Sequence, residues 1–183
     1  MLKVNPTVRY GLMSKSQSDN LGLQGIFKQS DFAGKTALVL STCFGAGLLP
    51  FAPGTFGTLV ALPFALGLSR LDVSYRALCM AGLIALAVWS SDLSERLLKK
   101  KDPRQVVIDE VAGFLLIPVL LPLSWFTLAC GFILFRLFDI LKPFPIKRLE
   151  QAFKGGVGVV IDDLAAGLYA YIGLMIMIHF LDR

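Results

Sequence analysis

Four long stretches of this chain carry no charged residue: between Lys35 and Arg70, Arg76 and Asp92, Glu110 and Arg136, and Asp163 and Asp182. A soluble domain rarely contains such runs, because about 25% of its residues are charged and they are spread over its surface. Here 17% of 183 residues are charged, 55% are hydrophobic, and the mean hydropathy is +0.68. Apolar runs near or above about 18 residues cross membranes as helices, since lipid offers no hydrogen-bond partner to an open backbone. The expected fold is therefore all-α, a polytopic integral membrane bundle of about five transmembrane segments with a broken Gly/Pro-rich segment before the first.

Breaker residues locate the segments. Gly45, Gly47, Pro50, Pro53 and Gly54 interrupt the first run, so residues 36–49 read as a short helix or interfacial segment followed by an irregular loop. Membrane helices are expected over residues 55–71 and 75–98. The next opens at Pro103, where a missing N–H costs nothing, and stops near Pro118 and Pro122. A short loop makes residues 125–141 its antiparallel neighbour, and the last span covers residues 158–180. With the N-terminus inside, fifteen Lys and Arg residues fall on the inner side and only Arg70, Arg76 and Arg183 on the outer. That asymmetry satisfies the positive-inside rule.

Residues 1–35 contain five Lys or Arg residues but no apolar core of a signal peptide, and read as a cytoplasmic, partly flexible tail preceding a membrane-embedded domain over 36–183. The net charge of +5 does not imply nucleic acid, because the basic residues lie in clusters between spans, where they anchor the chain against anionic lipid. Cys43, Cys79 and Cys130 are widely spaced in apolar sequence and read as packing residues. Asp92, Glu95 and Asp102 stand beside Lys99–Lys101 and Arg104, and read as charges neutralised in the interface.

Five other acids lie at the inner ends of apolar segments, where charge is costly unless paired, hydrated or bound to a cation: Asp109, Glu110, Asp139, Asp162 and Asp163. Arg136 and Asp139 share a helix face. Asp109 precedes Gly113 by four residues, as Asp163 precedes Gly167, so each acid has a small residue beside it where helices can approach closely. In Pro53-Gly-Thr-Phe-Gly-Thr58 the N–H groups of an opening helix, with Thr hydroxyls nearby, could bind an anion such as phosphate. Acids that bind Mg²⁺, which prefers carboxylate and phosphate oxygens, would explain why they coexist.

The motifs Gly45-Ala-Gly-Leu-Leu-Pro-Phe-Ala-Pro-Gly-Thr-Phe-Gly-Thr58, Ile108-Asp-Glu-Val-Ala-Gly113, Phe135-Arg-Leu-Phe-Asp-Ile-Leu-Lys-Pro-Phe-Pro-Ile146 and Gly155-Gly-Val-Gly-Val-Val-Ile-Asp-Asp-Leu-Ala-Ala-Gly167 resemble the phosphatidylglycerophosphatase A family. Ile108 stands where some relatives carry an aromatic residue, and Lys154 where some carry histidine. The resemblance implies a Mg²⁺-dependent phosphatase of the bacterial inner membrane that converts phosphatidylglycerophosphate to phosphatidylglycerol and inorganic phosphate. On this reading some of the five acids hold Mg²⁺ and one serves as base or nucleophile. Arg136 grips the phosphate, with Gly54, Thr55, Gly57, Thr58 and Lys142 as further substrate contacts. His179, the one histidine, lies at the far end and is assigned no chemistry. An ion-coupled transporter would use similar carboxylates but nearer the midplane. A non-catalytic membrane scaffold is the other alternative.

Overall fold

The computed structural model describes residues 15–181, and every regular element among them is helical. The helices are α1 (Lys15–Gln29), α2 (Phe32–Ser41), α3 (Pro53–Leu68), α4 (Val73–Leu98), α5 (Ile108–Leu120), α6 (Trp125–Leu141), α7 (Ile146–Ala152) and α8 (Gly156–Leu181), with a 3₁₀ turn at Ala46–Leu48. The tail expected over residues 1–35 contains all of α1 and the start of α2, while residues 1–14 lie outside the described residues. Asn20 Nδ2 donates to the Leu48 carbonyl oxygen at 2.8 Å and Leu23 is buried, which ties α1 to the Gly/Pro-rich loop.

Local chemistry sets several helix ends. Asp31 Oδ1 accepts from Gly34 N at 2.9 Å and starts α2. Ser124 and Thr127 form a reciprocal capping box that starts α6 directly after α5. Pro103 does not begin a helix as its local preference suggests. It opens a turn, closed by Val106 N donating to Pro103 O at 2.8 Å, and α5 starts five residues later. The reason is tertiary: Val107 N donates to Ser41 O at 2.8 Å. The backbone of Gln105 and Val107 also occupies the room left by Gly47 and Gly57, where a Cβ would strike it.

α8 is the central helix, packed on α4, α5, α6 and α7, while α5 packs chiefly on α8, α3 and α4. The neighbours α5 and α6 touch each other much less than each touches α8. α4 and α8 are each 26 residues long and apolar enough to cross a membrane, and only 28% and 22% of their most apolar windows are buried. The core helix of a soluble protein would bury such a stretch, whereas these present it outward. α3, α5 and α6 have 16, 13 and 17 residues. At 1.5 Å per residue they reach roughly 24, 20 and 26 Å, short of a hydrocarbon core about 30 Å thick. By length and composition, two of the described helices are thus able to cross a membrane.

Candidate active site

A backbone crossing of α5 and α8 builds the site. A Cβ on Gly113 would lie 2.5 Å from the Asp163 carbonyl oxygen and 2.8 Å from the Phe135 ring, and a Cβ on Gly167 would strike the Gly113 carbonyl. No other residue type permits so close an approach. Each glycine stands one turn beyond an acid, so the crossing sets Asp109 and Asp163 against each other, both buried. Glu110 joins them from the same end of α5. One carboxylate oxygen from each of the three lies within 4.8 Å of the others.

α6 brings the cations. Arg136 Nη1 donates to Asp139 Oδ2 at 2.6 Å and lies 3.9 Å from Glu110 Oε1. Lys142, the residue that ends α6, donates from Nζ to Asp162 Oδ2 at 2.5 Å. The first turn of α3 closes one wall: a Cβ on Gly54 would collide with Glu110 Oε1 and come within 3.0 Å of Arg136 Nη1. Between them lies an open cavity of about 440 Å³.

All five predicted acids, Arg136, Lys142 and Gly54 line this cavity, but Thr55, Gly57 and Thr58 do not. Gly57 makes room for Val107, and the buried Thr58 hydroxyl donates to the Gly54 carbonyl oxygen of its own helix at 2.9 Å. Of the pattern read as an anion cradle, Pro53 and Gly54 therefore line the cavity, while Gly57 and Thr58 serve packing. Asp102 and Arg104 line the cavity as well. Their sequence signal was the short interval to Asp109, overshadowed by the Lys99–Lys101 cluster that made them look like surface charges. Asp92 has a second task beyond its 2.7 Å ion pair with Arg96, because it also accepts from Gly156 N at 3.4 Å where α8 begins.

Several cavity atoms are buried without a hydrogen-bond partner among the described residues: Asp109 Oδ1, Glu110 Oε2 and Arg136 Nε. Buried polar groups in that state are rare and costly. The two orphan oxygens, with Asp163 alongside, form a hard, all-oxygen donor set that fits a cation such as Mg²⁺. The orphan N–H of Arg136, beside them, fits an anion. His179 lies sixteen residues past Asp163 on α8, roughly 24 Å along the axis, and cannot reach the site.

Fold and site together define a helical, membrane-associated protein whose buried acids and arginine meet in a cavity at one end of the bundle. Residues 39–178 match the model of the phosphatidylglycerophosphatase A family, and the chain belongs to that family, which makes it a phosphatase. It is similar to phosphatidylglycerophosphatase A of Escherichia coli, 34% identical over 131 residues that cover 71% of this chain and 76% of the relative. The Haemophilus influenzae protein of the same name is 36% identical over 142 residues, covering 73% and 83%. A Bacteroides thetaiotaomicron protein, provisionally named phosphatidylinositol-3-phosphatase, is 38% identical over 145 residues, covering 74% and 89%. No solved structure matches the chain.

Proposed function

We propose that the protein hydrolyses phosphatidylglycerophosphate to phosphatidylglycerol and inorganic phosphate, with Mg²⁺ as cofactor, at the cytoplasmic face of a bacterial inner membrane. The observation that carries this is the meeting of three carboxylates within 4.8 Å with Arg136 beside them on a shared cavity. Family membership and the names of two relatives favour this lipid. The excess of Lys and Arg at the cavity's end of the bundle supports the cytoplasmic orientation. We place the catalytic unit in residues 36–183, which the family match over 39–178 supports. α3, α4, α5, α6 and α8 would be the five crossings, the three shorter ones accommodated by local thinning of the bilayer.

Asp109, Glu110 and Asp163 would hold the metal, because they form the close oxygen cluster and two of them carry orphan atoms. When bound, Mg²⁺ supplies charge neutralisation and polarises the phosphoryl oxygens. Arg136 binds and orients the phosphoryl group, its own position held by Asp139. Asp162 takes a proton from water as the water oxygen bonds to phosphorus. The bond from phosphorus to the glycerol oxygen then breaks, and Lys142 gives a proton to the departing alkoxide. The Lys142–Asp162 hydrogen bond returns the proton from the acid to the amine and restores both groups. Gly54 makes the close approach of α3 to Glu110 and Arg136 possible and offers a first-turn amide to the phosphate.

The deciding experiment is phosphate release from phosphatidylglycerophosphate by the purified full-length protein, with Mg²⁺ and with chelator. Release that requires Mg²⁺ is expected. Folded protein that releases none under either condition overturns the proposal.

A further inference from the structure

Hydrolysis as described leaves one cavity cation without a task. Arg104 lines the same cavity as Asp109 and Arg136, but belongs to the segment 102–107 rather than to a helix. The side chain is exposed at the rim, and Nη2 donates to the Pro50 carbonyl oxygen at 3.1 Å. A guanidinium carries five N–H donors in a planar fork, so this one bond sets its position and leaves other donors for an anion. The segment beneath it is firmly held. Gln105, Val106 and Val107 are buried, and Val107 is bonded to Ser41 as described above. Arg104 is therefore delivered to one place on the rim.

That place has a consistent neighbourhood. Pro50 stands between Leu49 and Phe51, which are 38% and 69% exposed, so an apolar flank begins where the arginine is tethered. Exposure rises in a sequence: Asp109 and Asp163 are buried, Arg136 is half-buried, Arg104 on the same cavity is exposed, and the side chains beside its tether are exposed and apolar. A phospholipid with a phosphorylated headgroup has the same order: phosphomonoester, bridging phosphodiester, acyl chains. An exposed apolar flank beside a polar cavity suits a substrate that is part lipid and part anion.

We infer that Arg104 forms a second phosphate subsite, which takes the bridging phosphodiester while Arg136 binds the monoester beside the acid cluster. The inference rests on the lipid-phosphatase reading and sharpens its substrate class. The substrate is a glycerophospholipid whose headgroup carries the monoester and the diester on the first and third carbons of a polyol. Glycerol 3-phosphate and inositol 3-phosphate headgroups both meet that description. A lipid whose only phosphate is the monoester lacks the group that Arg104 binds.

The test compares phosphatidylglycerophosphate with phosphatidic acid of the same acyl chains, using the full-length protein in detergent micelles. Arg104→Ala removes one charge-assisted contact, and the preference for the diphosphate lipid, as a ratio of kcat/KM, is expected to fall about tenfold. Arg104→Lys should retain part of it. Phosphatidylglycerol, which keeps the diester and lacks the monoester, should bind the Arg104→Ala variant about tenfold more weakly than wild type, measured by equilibrium binding. An unchanged preference together with unchanged phosphatidylglycerol binding overturns the subsite. If wild type releases phosphate from neither lipid, the lipid-phosphatase reading fails, and the binding comparison still decides the subsite separately. Thermal melting controls for folding, and Arg104→Gln replaces Arg104→Ala in the same comparisons if the alanine variant unfolds.

Discussion

The carbonyl oxygen of Gly113 fills the space that a side chain on Gly167 would need. The two glycines let α5 and α8 cross backbone to backbone, and one turn away the same crossing brings Asp109 against Asp163. Packing and chemistry are thus set by one contact, and a substitution there should damage both.

Gly167→Ala forces a Cβ into that carbonyl, and backbone cannot yield as a flexible side chain would. The expected cost is about 1–3 kcal/mol of stability. Displacement of the two acids by about 1 Å is expected to lower kcat/KM by about 100-fold. Thermal melting and phosphate release on the same preparation check both effects. Full activity in a destabilised variant would break the link between crossing and site.

The cluster of Asp109, Glu110 and Asp163 places like charges close together in a buried setting. Asp163→Asn removes one charge from the cluster and one of the three proposed metal ligands. In chelator the variant should melt no lower than wild type, because repulsion is relieved. Wild type should gain stability on adding Mg²⁺, by about 2.7 kcal/mol at a hundredfold excess over Kd, while the variant gains far less. Melting curves with and without Mg²⁺ read this without reference to turnover.

Arg136 is held by Asp139 at 2.6 Å and stands near Glu110, so its guanidinium presents a fixed edge to the cavity. Arg136→Lys keeps the charge but loses the planar fork. Activity should fall roughly 10- to 100-fold with expression intact, since a lost charge-assisted contact is worth about 1.5–3 kcal/mol. Steady-state kinetics on purified variant decide it, and normal kcat/KM would remove Arg136 from the phosphate clamp.

Thr58 and Gly54 separate packing from chemistry within one motif. The Thr58 hydroxyl is spent on the Gly54 carbonyl, so Thr58→Val should keep activity within about threefold, the change corresponding to well under 1 kcal/mol. Gly54→Ala drives a Cβ into Glu110 and toward Arg136, and should cost at least tenfold. Side-by-side phosphate-release assays test the pair, and equal losses in both would restore Thr58 to the site.

Much of the helical layout was legible in the chain because its causes are local. Charge-free runs, prolines and glycines mark where helices can lie, and the four-residue spacing from Asp109 to Gly113 and from Asp163 to Gly167 already joins an acid to a close-packing position. Arg136 with Asp139 follows from helical periodicity alone. The late start of α5 was not legible, because Pro103 follows its propensity only when nothing distant competes. Nor were Asp102 and Arg104, whose place on the cavity depends on how the segment 102–107 passes Gly47 and Gly57.

The sequence by itself determined that this is an all-helical protein built for an apolar surrounding, with acids gathered at one end, because composition and periodicity act residue by residue. Only the tertiary structure decided which acids meet, which glycines pack rather than bind, and which cations reach the cavity. Those outcomes rest on backbone approaches between segments far apart in the chain. Such contacts depend on the shape of both partners at once, and neither partner's local sequence encodes the other.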